Sequence, residues 1–227
     1  TALIDARASI DSSRRRADDW ARVTRLDWDA DGREEVQIEL KTSSFVIDPA
    51  AGGELLVFDD KAEGTTLAWL DSEPPGLLLN MQDEENAPET VELSIAGIEE
   101  SREGVTLTLT DDEGWVSVVV GMSDRAIDLE YRLTEPAQRR VGPELPLLLG
   151  DTRLRVDGSE WRAVDQPVAV SGHRFRLEGT VRNALITSLL PTDMFVRPSD
   201  GGVVVWPNWY AAAAGSLPIR IDLRRPS

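Results

Sequence analysis

Within the stretch LDWDADGREEV, Asp27, Asp29 and Asp31 stand at alternate positions ahead of Gly32. Alternate oxygens converging on one point, with a glycine where the chain turns sharply, is how a hard cation such as Ca²⁺ is wrapped. Counted from Asp27, Arg33 is seventh and offers its backbone carbonyl, while Glu35 is ninth and can close the shell. An EF-hand needs a bidentate glutamate at the twelfth position, which here is Ile38, so the loop is not an EF-hand. The reading is a structural Ca²⁺ loop leading into a strand at EVQIEL. Mg²⁺ fits less well, because it keeps several waters and takes few protein carboxylates. The competing reading is an Asx-rich turn, since Asp and Gly are ordinary turn residues.

The other residues able to do chemistry are few. Trp206, Trp209 and Tyr210 in VVVWPNWYAAAAG form the densest aromatic group. Sugars stack their apolar faces on such rings, so the three are candidates for a carbohydrate platform, against the alternative of core packing. His173 is the single histidine and there is no cysteine, which excludes thiolate sites, disulfides and zinc sites built on several histidines. Asp59 with Asp60 and Asp111 with Asp112 are adjacent pairs that a glycosidase scheme would need to aim at one bond. Neighbours on a strand point to opposite faces, so neither pair makes an active site if extended. Neither AAGGE nor SDGGV fits a phosphate-binding glycine fingerprint, and no serine lies in a nucleophile-elbow sequence. No catalytic residue is assigned.

The chain of 227 residues carries 24 Lys plus Arg against 41 Asp plus Glu, a formal net charge of −17. That charge repels phosphate backbones and anionic bilayers, so neither nucleic acid nor membrane is an expected partner. Apart from Lys41 and Lys61 every basic residue is an arginine, a bias that both a salt-rich cytoplasm and a GC-rich genome produce. A cytoplasmic setting is expected, with an extracellular one left open. The chain starts at Thr1 without a methionine, which reads as a piece of a longer protein.

The elements that must hold these residues divide at the acidic loop. Residues 1–25 are predicted to be a helical segment, with Leu3, Ile4, Ala8, Ile10, Trp20 and Val23 as its stripe and no Gly or Pro to break it. Residues 26–227 carry short runs rich in Val, Ile, Leu and Thr, many alternating apolar with polar and separated by Gly, Pro, Asp and Asn. With no helical pattern between the runs, a parallel βαβ sheet is not expected and a large antiparallel β-sandwich is predicted. It exceeds the roughly 100 residues of an immunoglobulin sandwich, and no fixed repeat marks a propeller.

DWDADGREEVQIEL followed by FVIDPAAGGELLVFD resembles the C-terminal β-sandwich of glycoside hydrolase family 57 α-amylases and 4-α-glucanotransferases. Asp27, Asp29, Asp31, Gly32, Glu35 and Val36, then Pro49, Gly52 and Gly53, carry the likeness, which covers residues 20–60. Where many relatives continue with an Arg-rich, Tyr-His-like segment, this chain reads KAEGTTLAWLDSEPPG. The resemblance implies a supersandwich like that of galactose mutarotases, placed beside an upstream catalytic barrel of the same chain that acts on α-glucans. Mutarotases themselves use paired histidines with a carboxylate, which His173 alone cannot supply. The expectation is therefore a non-catalytic accessory domain of an α-glucan-acting enzyme. Its rivals are an independent carbohydrate-binding module and a Ca²⁺-stabilised interaction or adhesion domain.

Overall fold

The computed structural model describes residues 21–27, 30–61, 65–69, 77–82, 91–101, 103–123 and 126–224. The described residues are all-β, with no helix among them. Six strands come first: β1 (Arg22–Leu26), β2 (Glu35–Glu39), β3 (Ser43–Asp48), β4 (Glu54–Asp60), β5 (Thr65–Trp69) and β6 (Leu77–Gln82). A second run follows in β7 (Ser94–Glu100), β8 (Val105–Thr110), β9 (Val116–Met122) and β10 (Ala126–Leu133). The chain then alternates between layers through β11 (Arg140–Leu147), β12 (Thr152–Val156), β13 (Arg162–Ala163) and β14 (Val168–Gly179). It ends in the long β15 (Asn183–Ser199), β16 (Gly202–Tyr210) and β17 (Gly215–Arg224).

Every pairing is antiparallel. The first sheet holds β1 to β6, with β11 and β16 added beyond β6. The second runs from β7 through β8, β9, β10, β17, β15, β14 and β12 to β13. β15 serves both layers: residues 183–188 pair with β17 and residues 193–199 with β16. The layers are thus one curled sheet folded over on itself.

Alternation sets what lies between the layers. In β8 and β9 each second residue is buried, so Leu107, Leu109, Val118 and Val120 face inward while the threonines and serine between them face out. They meet Val36, Ile38, Phe45, Ile47 and Phe58 of the first sheet in one continuous core. Phe45 and Phe58 stack at 4.4 Å across the β3–β4 pairing. Tyr131, wholly buried in β10, crosses the core and donates its hydroxyl to the Leu78 carbonyl of β6. Burial pushes that phenol well above its ordinary range, so it stays a donor.

The helical expectation for residues 1–25 meets the structure only at its end. Residues 1–20 lie outside the described residues, but Arg22–Leu26 is the strand β1. Val23, placed on a helical stripe by its spacing, instead sits opposite Ile38. β-branched Val23 and Thr24 suit a strand, and pairing satisfies the edge of β2. The sheet therefore starts four residues before the expected boundary at 26.

At one end of the sandwich Arg182, in the turn between β14 and β15, pairs with Asp60 at the end of β4 at 3.1 Å, both side chains 3% exposed. The pair ties the layers together without solvent between. Removing one member strands the other's buried charge, which costs about 3–5 kcal/mol. Arg182→Ala is expected to lower the unfolding free energy read by urea titration by that order, and pairing it with Asp60→Leu to restore much of the loss.

Candidate binding groove

The face of the first sheet turned away from the core carries polar and aromatic side chains. Along β16, Val203, Val205 and Trp209 face the core, so Val204, Trp206, Asn208 and Tyr210 lie on the other side. Register then sets the neighbours: Trp206 lies opposite Phe195, and Asn208 opposite Asp193. On the β11 flank Arg140 pairs with Tyr210, and on β6 with Gln82. Gly142 permits this closeness, because a Cβ there would fall 2.0 Å from the Pro207 carbonyl.

The result is a groove of about 550 Å³, lined among others by Gln82, Arg140, Glu144, Phe195, Arg197 and Trp206. Phe195 and Trp206 form its aromatic wall, ring centres 5.5 Å apart and planes 26° from parallel. Trp206 is 8% exposed, and its indole N–H is a buried donor with no partner among the described residues. Arg140 donates to Asp193 at 2.7 Å and to the Asn208 side-chain oxygen at 2.9 Å, with its guanidinium 5.9 Å from the Phe195 ring centre. Ser171 also donates to Asp193. That hydroxyl, followed by Arg140, holds the Asp193 carboxyl below its usual range. Glu144 goes the other way: burial raises it, against the pull of Arg197 at 3.5 Å and of the Asn80 amide.

The three aromatics singled out in the sequence are separated by this geometry. Trp206 lines the groove. Trp209 is on the opposite face, packed against Tyr131 at 5.8 Å. Tyr210 is 52% exposed beyond the groove, its hydroxyl donating to Gln138 at 3.2 Å. A coplanar platform of all three does not form, because neighbouring strand residues face opposite ways. Phe195, Arg140, Asp193, Asn208, Glu144 and Arg197 were not read from the sequence. They come from β11, β15 and β16, and only register joins them.

In the acidic loop, the Asp27 carboxylate accepts from the Gly32 N–H at 3.1 Å and Asp31 from the Arg33 N–H at 2.8 Å, with Ala30 and Gly32 in left-handed conformations (φ 65° and 90°). The Asp31 contact is an Asx turn, while the Asp27 contact closes the loop across five residues. Asp29, the middle of the alternation, lies outside the described residues. Glu35 opens β2 and is buried. Among the described residues no three acidic or histidine side chains come together as a metal shell. The adjacent carboxylate pairs are structural: Asp60 meets Arg182, Asp59 accepts from Thr66, and Asp111 accepts from the Val116 and Glu113 N–H groups. His173 is exposed on β14, away from the groove lining.

No protein-family model and no curated protein sequence matches the chain. Solved structures do. A 4-α-glucanotransferase from Thermococcus litoralis superposes with a TM-score of 0.63 at 14% identity, over 90% of this chain and 41% of that one. A galactose mutarotase-like protein from Clostridium acetobutylicum gives 0.63 at 8% identity, over 92% of this chain and all (100%) of the other. A galactose mutarotase-like protein from Lactobacillus casei gives 0.57 at 11%, over 84% and 100%. The fold is a galactose-mutarotase-like sandwich. The two mutarotase-like proteins are matched over their whole length, whereas the chain spans less than half the length of the glucanotransferase.

The raised carboxyl of Glu144 fixes a pH dependence. A carboxyl harder to ionise in the folded state contributes stability below the ordinary value of about 4.3, and that contribution is lost as pH rises through the folded value. Glu144→Gln removes the ionisation. Its stability relative to the parent should therefore be level in acid and move in the variant's favour as pH rises towards neutrality, read by urea unfolding at each pH.

Proposed function

We propose that the chain is a non-catalytic accessory sandwich of an α-glucan-acting enzyme, and that the groove on its first sheet receives the glucan. The observation carrying this reading is the Trp206 wall: a nearly buried indole stacked on half-exposed Phe195 and rimmed by Arg140, Glu144 and Gln82. Apolar ring faces beside a few fixed hydrogen-bonding groups suit a neutral sugar, and the groove's volume falls in the range of about 300–1,000 Å³ usual for ligand sites. Binding without turnover is supported by the engagement of the groove carboxylate Glu144 with Arg197 and Asn80, and of Asp193 beside it with Arg140 and Ser171. The likeness to part of a longer 4-α-glucanotransferase supports an upstream catalytic barrel as the partner, with this sandwich packed beside it.

Calorimetric titration with a maltooligosaccharide tests the groove. Saturable binding is expected, weakened about two- to tenfold by Trp206→Ala or Phe195→Ala, the worth of one aromatic contact. Tyr210→Ala should change it little, and Trp209→Ala should lower stability instead. Absence of saturable binding would remove the glucan from the groove.

Ca²⁺ at the Asp27–Glu35 loop belongs to the same proposal as a structural ion, with Asp29 and Asp31 as ligands that Asp27, the Arg33 carbonyl and Glu35 complete. Ca²⁺ should then raise the melting temperature relative to EDTA, and Asp29→Asn should abolish the difference.

A further inference from the structure

On the second sheet, the edge made by β12 and β14 collects arginines in a chain whose net charge is −17. Leu154, Phe175 and Leu177 take the core side, leaving Arg153 and Arg155 of β12 and Arg174 and Arg176 of β14 on the outside. Arg155 and Arg176 are direct cross-strand neighbours. The guanidiniums of Arg153, Arg155 and Arg176 gather on the Trp161 ring at 5.4, 5.8 and 5.8 Å from its centre. Like charges this close repel unless an anion lies between them.

The anions within the chain do not meet this need. Glu178 pairs with Arg153 at 3.1 Å and with Arg176 at 2.9 Å, one carboxylate for two guanidiniums. Asp157 turns its carboxylate to the backbone, accepting from His173 N–H at 3.1 Å and Arg174 N–H at 2.9 Å where β14 shifts register. Gly172 admits it, since a Cβ there would lie 2.6 Å from that carboxylate. Asp157 and Gly158 both take left-handed conformations (φ 45° and 82°), folding the turn back over Arg155. Arg155 reaches the Gly158 carbonyl at 2.8 Å through one terminal nitrogen, and its buried Nε–H has no partner among the described residues. Neither Arg155 nor Arg174 has an ion pair among them. Between them is a cavity of about 470 Å³ lined by Arg155, Asp157, Gly158, Arg174 and Arg176.

We propose that this cavity binds a phosphate group, free or as the monoester of a phosphorylated sugar, held by Arg155, Arg174 and Arg176. Planar guanidinium forks match a tetrahedral oxyanion bidentately. A polymer of phosphates is excluded by the chain's overall charge, whose repulsion acts along its whole length. A small anion meets mainly the local arginines, because remote carboxylates are screened beyond about 10 Å. The site shares no residue with the groove, so it stands or falls separately from the glucan reading.

Calorimetric titrations with inorganic phosphate and with glucose 6-phosphate, at ionic strength held constant with sodium chloride, test it. Saturable binding is expected, weakened about tenfold or more by Arg174→Ala and by Arg155→Ala. Arg174 is exposed, so its replacement leaves the fold intact even if loss of Arg155 disturbs the turn at Gly158. Arg174→Lys, which keeps the charge and loses the fork, should fall between parent and alanine. Tighter binding of the sugar phosphate assigns the source as a phosphorylated sugar, and equal affinity assigns free phosphate; both uphold the site. No saturable binding of either, or binding that survives both alanine substitutions, overturns it.

Discussion

The architecture turns on the double pairing of β16. It is hydrogen-bonded to β11 on one side and to the distal half of β15 on the other, so one strand closes two layers into a single folded sheet. A slip of one residue would exchange its faces, sending Trp209 out of the core and Trp206 into it. Two independent ladders hold the register against that slip. The groove is thus a by-product of closure, since the pairing that seals the core also sets Trp206 beside Phe195 and Asn208 beside Asp193.

Core and groove are held by different kinds of force. Inside, apolar side chains from both layers mesh around Tyr131, whose hydroxyl is satisfied by a carbonyl of the opposite layer. On the outer face of the first sheet, charge-assisted hydrogen bonds fix Arg140, Asp193 and Asn208 relative to one another. Side chains so tethered lose little further freedom when a ligand arrives, which favours binding by a preformed surface.

The all-β character was legible in runs such as VTLTLT and VSVVVGM, whose alternation became inward and outward faces in β8 and β9. Alternation is a local property, so it survives in a one-dimensional reading. Val23 shows where such reading fails: its spacing fits a helix, and only the presence of β2 beside it makes a strand. Trp206 was legible as an unusual residue, but its separation from Trp209 follows from strand geometry and its partnership with Phe195 from register. Arg140 and Asp193 stand 53 positions apart, and no local signal links them. The acidic loop was the most visible chemical pattern, and of its contacts the structure describes those made by Asp27 and Asp31 to the loop's own backbone.

The burial of Tyr131 has an optical consequence. The chain contains two tyrosines, and one keeps its proton well beyond the usual phenol range because no water reaches it. While the core stays closed, Tyr131 therefore adds no phenolate absorbance to the spectrum. The residue is thus a label built into the core, and the onset of its phenolate signal marks the core's opening.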